Sequence, residues 1–270
     1  MVVRRRMRPR GEASYRTRTV RGATYFTSRQ AFEDLTIVVQ RFPGATPDGP
    51  SYVLIPGIGV SSRYFGPTAA ELSKHGTVYL VDLPGFGAAP DPRRDVSITD
   101  HAGVLATFLA AAGLTHPVLV GHSWGTQVVT QLEVDHPGLV QHLVLMSPTL
   151  RPDARKFWRS IGLLARDGFR EPPVVNALAI ADYLVRCGIP YGLRQMPHML
   201  NDRIEERLPR VRAHTLVLFG DRDPIVTEPW IDEVTSLVPG ADSHRVRGAH
   251  VVMYTDPVTI ARHIREHAQS

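Results

Sequence analysis

Ser123 lies between two glycines in the segment 121–125, Gly-His-Ser-Trp-Gly, and a serine in this setting could act as a nucleophile. The segment follows the apolar run 117–120 and precedes a stretch, 126–136, whose pattern predicts a helix. A tight turn between a strand and a helix strains the backbone of the serine, and the glycines remove Cβ atoms that would clash there. The following helix supplies free N–H groups and the positive end of its dipole. The pattern therefore predicts a serine hydroxyl exposed at the edge of a sheet.

Two later segments could supply the base and the acid that a nucleophilic serine needs. The base takes the hydroxyl proton, and the acid orients the base. His250 follows a predicted strand at 243–246, while Asp221 and Asp223 follow a predicted strand at 215–219. The 27 positions from Asp223 to His250 leave room for one helix and one strand between neighbouring loops. The sequence therefore predicts a Ser-His-Asp arrangement in which either aspartate could be the acid.

The elements that would position these residues alternate between strands and helices. A hairpin is predicted at 23–30 and 35–42, and six short apolar runs then predict further strands at 52–55, 77–81, 118–120, 140–146, 215–219 and 243–246. Helices are predicted at 62–74, 97–112, 126–136, 228–237 and 257–267. This alternation predicts an α/β fold in which helices cover both faces of a mostly parallel, eight-stranded sheet.

The alternation stops at residue 148 and resumes after residue 208. Between them the sequence has helical periodicity, prolines, arginines and scattered large apolar residues, without a strand pattern. We therefore expect 148–208 to be a helical cap inserted over the sheet, between the core segments 22–147 and 209–270. Four large side chains of this insertion are expected to line a substrate pocket: Trp158, Phe169, Tyr183 and Met199.

The net charge of +5 is concentrated in the first 21 residues, which hold eight arginines and one glutamate, so the rest of the chain carries −2. These residues lack the apolar run of a secretion signal and, apart from Tyr15, the aromatic rings that would stack on bases. We expect 1–21 to be a disordered basic extension, with no nucleic-acid partner. No apolar run reaches 18 residues, so no membrane span is predicted. The single cysteine, Cys187, fits a reducing compartment, and a cytoplasmic location is expected.

Four motifs in order make the chain resemble the α/β-hydrolase family over residues 22–268. They are Gly-Ile-Gly at 57–59, Asp-Leu-Pro-Gly-Phe-Gly at 82–87, Gly-His-Ser-Trp-Gly at 121–125, and the pair Gly-Asp-Arg-Asp at 220–223 and Gly-Ala-His at 248–250. The resemblance implies that Ser123 is the nucleophile and His250 the general base. It favours Asp223, the fourth residue of its motif, over Asp221 as the orienting acid.

The resemblance also implies an oxyanion hole made of the backbone N–H groups of Ile58 and Trp124. Pro56 departs from the family pattern, since many members have a histidine there that organises the loop. Proline is not one of the two donors, so the departure concerns the geometry of the loop and not the number of donors. His122, inside the turn, is expected to support the turn and not to take a proton.

Together these features predict a cofactor-independent serine hydrolase that cleaves a carboxylic ester or related acyl compound through an acyl-enzyme. The same residues also serve lactone, amide and carbon–carbon bond hydrolases, and a slow-turnover, receptor-like binding protein of the family would retain them. The expected partner is a small acyl substrate. The sequence has no Cys, His and Asp cluster with metal spacing, and its glycine motifs do not complete a dinucleotide fingerprint, so no metal or other cofactor is expected.

Overall fold

A computed structural model describes residues 16–270 except 47, 150, 153–154, 156–161, 164–165, 183 and 185–187. Its strands are β1 Arg16–Val20, β2 Ala23–Phe32, β3 Leu35–Phe42, β4 Ser51–Ile55, β5 Thr77–Asp82, β6 Val118–His122, β7 His142–Met146, β8 His214–Gly220 and β9 Asp242–Val246. They form one sheet in the order β1-β2-β3-β5-β4-β6-β7-β8-β9. Pairing is antiparallel from β1 through β3 to β5 and parallel from β5 to β9. The predicted α/β fold with a mostly parallel sheet is confirmed.

Helices alternate with strands along much of the described chain. They are α1 Gly66–Leu72, α2 Ile98–Ala111, α3 Trp124–Asp135, α4 Pro173–Ala181, α5 Ile189–Asn201, α6 Ile204–Arg207, α7 Glu228–Leu237, α8 Val252–Thr255 and α9 Pro257–His267, with short 3-10 helices at Ser62–Phe65 and Leu208–Arg210. A capping box fixes the start of α2: the Ser97 hydroxyl accepts the N–H of Asp100 (3.2 Å), and the Asp100 carboxylate accepts the N–H of Ser97 (2.9 Å).

Both faces of the sheet are buried under helices. Along β4, Val53 and Ile55 belong to one apolar core, while Tyr52 and Leu54 belong to the other. This division follows from the two-residue period of a strand, which sends successive side chains to opposite faces. The first core includes residues of α2, α3 and α7, and the second includes residues of α1 and α9.

The sheet has nine strands, one more than predicted, because the chain is ordered before residue 22. Residues Arg16–Val20 form β1, which pairs antiparallel with β2. The disorder expected for 1–21 is therefore wrong at its C-terminal end, while 1–15 lie outside the described residues. The segment Arg-Thr-Arg-Thr-Val alternates charged and β-branched residues, and β-branched residues favour strands. The high arginine content of residues 1–21 favours the interpretation of a disordered extension, although this short pattern is typical of a strand.

The chain between β7 and β8 carries α4, α5 and α6 and, in its described part, has no strand. Because β7 and β8 pair directly with each other, the segment between them leaves the sheet and returns to it, and we call it the excursion. Within the described residues, no helix is long and apolar enough to cross a bilayer.

Candidate active site

Ser123 occupies the sharp turn between β6 and α3, with φ 53° and ψ −122°. A positive φ is rare for a residue with a side chain. Two close approaches explain the flanking glycines. A Cβ on Gly121 would lie 2.6 Å from the carbonyl oxygen of Gly125, and a Cβ on Gly125 would lie 2.6 Å from that of Ile55. The N–H of Ser123 donates to the carbonyl oxygen of Met146 (2.9 Å), which holds the turn on β7.

Asp223 and His250 meet at the ends of β8 and β9. Nδ1 of His250 lies 2.7 Å from Oδ2 of Asp223, and the Asp223 side chain is fully buried. The other oxygen of Asp223 accepts the N–H groups of Ile225 (2.8 Å) and Val226 (3.2 Å), which orients the carboxylate. Asp221, the other candidate acid, instead accepts an N–H from the loop after β9, and its side chain is partly exposed. The structure therefore bonds His250 to Asp223 and not to Asp221.

The charges around His250 favour its protonated form. Burial alone would lower the pKa of His250, but the negative charge and hydrogen bond of Asp223, with the charges of Asp167 and Glu171, outweigh burial and raise it. His250 can thus accept a proton readily. Its ring lies 4.6 Å, centre to centre, from the ring of His122.

A cavity of about 460 Å³ opens beside these residues and is lined by both Ser123 and His250. Part of its wall comes from the sheet loops, including Ile58. The rest comes from the excursion between β7 and β8, whose apolar contributions are Val175, Leu178, Ala179, Leu193 and Met196. The cavity is therefore a mostly apolar space directly next to the serine hydroxyl.

The loop after β4 also reaches this cavity. It packs closely on Ser123, because a Cβ on Gly57 would lie 3.3 Å from the Cβ of Ser123. Ile58 lines the cavity, and Trp124 is the first residue of α3, where backbone N–H groups lack helical partners. The indole of Trp124 is buried against the rings of Phe86 (4.9 Å between centres) and His101 (5.0 Å).

Tyr64 holds this loop at Gly57, the residue after Pro56. The Tyr64 oxygen accepts the N–H of Gly57 (2.8 Å) and lies 2.8 Å from Nδ1 of His122. Nε2 of His122 lies 3.1 Å from the carbonyl oxygen of His250. Burial, followed by the charge of His250, lowers the pKa of His122 well below its usual value. His122 is therefore neutral, its proton is on Nε2, and Tyr64 donates to Nδ1. No local sequence pattern indicates this role of Tyr64.

Two of the four expected pocket residues lie elsewhere in the structure. Phe169 is wrong: its side chain is 93% exposed, in a turn at the surface. Met199 is also wrong as a pocket residue: it is buried in the first core but does not line the cavity, and its carbonyl oxygen accepts a hydrogen bond from Gln127. Met196, three residues earlier on α5, faces the cavity instead. Trp158 and Tyr183 lie outside the described residues.

Comparisons with known proteins assign the class to which this fold and site belong. A family model described as the alpha/beta hydrolase family matches residues 52–263, and the chain belongs to that family. A protein of Escherichia coli O157:H7 (strain EC4115 / EHEC), which bears the name "Putative carbamate hydrolase RutD", is 30% identical over 238 residues, in a match that covers 78% of this chain and 88% of that protein.

Solved structures show the same fold. An enol-lactonase from Burkholderia xenovorans LB400 superposes with a TM-score of 0.77 at 16% identity, over 90% of this chain and 100% of that one. Est816, described as an N-acyl homoserine lactone degrading enzyme, superposes with a TM-score of 0.75 at 22% identity, over 88% and 99% of the two chains. The protein is thus an α/β-fold hydrolase by family.

Proposed function

We propose that this protein is a serine hydrolase that cleaves a carboxylic ester, or a related acyl compound, through an acyl-enzyme. The observation that carries the proposal is the hydrogen bond between His250 and the buried Asp223. His250 lines the same cavity as Ser123, which lies on its strained turn. A base oriented by an acid, next to a serine, is the arrangement that activates a hydroxyl for attack on a carbonyl carbon.

The proposed first half-reaction uses the two nitrogens of His250 separately. Nδ1 carries a proton and donates it in a hydrogen bond to Asp223, which leaves Nε2 free to accept the proton of Ser123. The serine oxygen bonds to the carbonyl carbon as its proton moves to His250. Asp223 stabilises the resulting imidazolium, and His250 then protonates the leaving group as the carbon–oxygen bond breaks.

The second half-reaction repeats these roles with water. His250 takes a proton from water, the hydroxide attacks the acyl-enzyme, and Ser123 recovers its proton when the acid product leaves. In both halves the oxyanion would be bound by the N–H groups of Ile58 and Trp124. What supports this assignment is the location of both residues beside Ser123, one on the loop after β4 and the other at the start of α3.

The excursion 148–208 would serve as a cap that shapes the acyl pocket. Five apolar side chains from α4 and α5 line the cavity, and apolar side chains favour an apolar acyl chain. The proteins compared above include one named as a putative carbamate hydrolase, an enol-lactonase and an enzyme described as degrading N-acyl homoserine lactones. Lactone hydrolysis is our second candidate, because a lactone with an apolar chain presents the same ester bond to the same cavity.

The proposal is tested by hydrolysis of p-nitrophenyl butyrate and of a medium-chain lactone. The wild-type chain should turn over at least one of them, and Ser123→Ala should reduce that rate to the background. A native-like circular dichroism spectrum of the variant would show that the loss is chemical. Turnover that persists in Ser123→Ala would contradict the proposal.

A further inference from the structure

One short stretch of the cap, residues 167–171, contacts both loops that carry Asp223 and His250. Oδ1 of Asp167 accepts the N–H of His250 (3.3 Å), and Oε1 of Glu171 accepts the N–H of Val251 (2.7 Å). Between them, the Arg170 guanidinium donates to a backbone carbonyl in the loop after β8 (2.9 Å). Two carboxylates are therefore held next to the base by backbone hydrogen bonds.

Both carboxylates are buried in the cavity wall. Asp167 and Glu171 line the cavity with Ser123 and His250, and each residue is only 7% exposed. Within the described part of the chain, neither forms an ion pair with an arginine or lysine, and Oε2 of Glu171 has no hydrogen-bond partner. Burial raises the pKa of both carboxylates, and the positive charge of His250 opposes this effect at both of them. In the described part of the protein, the cations beside them are His250 and, for Asp167, Arg170.

Apart from His250, the rest of the described lining does not offset this charge. It includes neither arginine nor lysine, and its third acidic residue, Asp182, is paired with Arg63. The remaining wall is mostly apolar, so the effective dielectric constant there is low, and charge–charge repulsion is stronger than in water. A negative group on a substrate that occupies this cavity would enter a space that Asp167 and Glu171 line.

We propose that Asp167 and Glu171 select the substrate by charge, so that the site accepts acyl chains without a negative charge and rejects those that end in a carboxylate. The inference rests on the proposed function and narrows its substrate class. A neutral apolar chain contacts the apolar wall, whereas an anionic chain is repelled and also loses its hydration.

The test compares two esters that differ only at the end of the acyl chain: p-nitrophenyl hexanoate, which ends in a methyl group, and mono-p-nitrophenyl adipate, which ends in a carboxylate. The quantity measured is the ratio of their kcat/KM values at pH 8 and low salt. We expect the wild-type chain to prefer the hexanoate by roughly a hundredfold. Both reactions use His250, so a change in its pKa cancels in the ratio.

Asp167→Asn and Glu171→Gln are the informative variants. Each keeps an oxygen that can accept the backbone N–H and removes only the charge. Each should lower the preference for the hexanoate roughly tenfold, and mainly by faster turnover of the adipate ester. Asp221→Asn, which removes a carboxylate outside the cavity lining, is the matched control and should leave the ratio unchanged. A wild-type preference for the adipate ester, or a ratio that neither variant alters, would overturn the inference.

A binding measurement separates this inference from the proposed function. In Ser123→Ala, calorimetric titration with hexanamide and with adipamate, its carboxylate-ended analogue, compares neutral and anionic ligands without turnover. The inference predicts tighter binding of hexanamide, and a smaller difference when Glu171→Gln is added. Equal binding of the two ligands would overturn it. If the wild-type chain hydrolyses neither ester but the binding difference is observed, the result would count against the hydrolytic proposal alone.

Discussion

The Tyr64 hydroxyl lies 2.8 Å from Nδ1 of His122, and this contact is the middle of a chain of three hydrogen bonds. At one end, the Tyr64 oxygen accepts the N–H of Gly57 (2.8 Å), and at the other, His122 donates to the carbonyl oxygen of His250 (3.1 Å). The chain joins the loop after β4, the turn that holds Ser123 and the loop after β9. The proposed mechanism requires these three loops to keep fixed positions relative to one another.

Tyr64→Phe should therefore slow ester hydrolysis while it preserves packing. The phenylalanine ring can keep the stacking on Phe65 (4.8 Å between centres), but the N–H of Gly57 and Nδ1 of His122 lose their buried partner. We expect kcat to fall about tenfold and the free energy of unfolding to fall by about 1–3 kcal/mol. Tyr79→Phe, which removes a hydroxyl beside Phe108 of α2, is the control. An unchanged kcat in Tyr64→Phe would show that the hydrogen-bond chain has no part in positioning.

Asp223→Asn should be far more damaging than Asp221→Asn. An asparagine at 223 can donate to Nδ1 of His250, which favours the wrong tautomer, and in a comparable triad this change costs about 10⁴-fold in kcat. Asp221 accepts the N–H of Gly248 and pairs with Arg222, and neither contact orients His250, so its replacement should cost less than about tenfold. The measurement is kcat on p-nitrophenyl butyrate for both variants. The reverse ranking would place the acid at 221.

Hydrolysis should depend on pH through His250, which must be neutral to accept the serine proton. Burial lowers its pKa, but Asp223, Asp167 and Glu171 more than reverse this effect, so the folded-state pKa lies above the usual 6.5. kcat/KM should therefore fall as the pH falls through a midpoint above 6.5. Removal of one carboxylate, as in Glu171→Gln, should shift that midpoint to lower pH. A midpoint below 6.5 in the wild-type chain would contradict this electrostatic account.

The pocket assignment predicts different effects for two large apolar residues of the cap. Met196 lines the cavity, so Met196→Ala should change the order of preference among butyrate, hexanoate and octanoate esters. Phe169 is exposed, so Phe169→Ala should leave that order unchanged. It should change the free energy of unfolding by no more than about 0.5 kcal/mol. Relative kcat/KM values over the ester series are the measurement. A change of preference in Phe169→Ala alone would contradict the placement of both residues.

Local motifs are sufficient to predict eight of the nine strands of the sheet and the neighbourhood of Ser123. Short apolar runs are reliable for a parallel sheet because such strands are buried on both faces. The turn at Ser123 is predictable because only glycines fit beside it, as the approaches at Gly121 and Gly125 show. The position of His250 follows in the same way, because parallel strands end at the same edge of the sheet and bring their loops together.

The features that no local sequence pattern predicts depend on contacts between distant segments. Tyr64 and His122 are 58 positions apart, and Glu171 and Val251 are 80 apart, so local spacing could not relate them. Phe169 and Met199 are predicted to be pocket residues because their side chains are large and apolar. Size does not determine which face of a helix or turn meets the cavity, so these two expectations failed.

The central claim, that Ser123 is the nucleophile, is tested most directly by covalent labelling with a fluorophosphonate followed by mass spectrometry. We predict one adduct per wild-type chain, located at Ser123, and none in Ser123→Ala. Ser147→Ala is a matched control, since Ser147 also has a positive φ (44°) after a strand but is fully buried, and this variant should be labelled normally. An adduct at another residue, or one that persists in Ser123→Ala, would contradict the account.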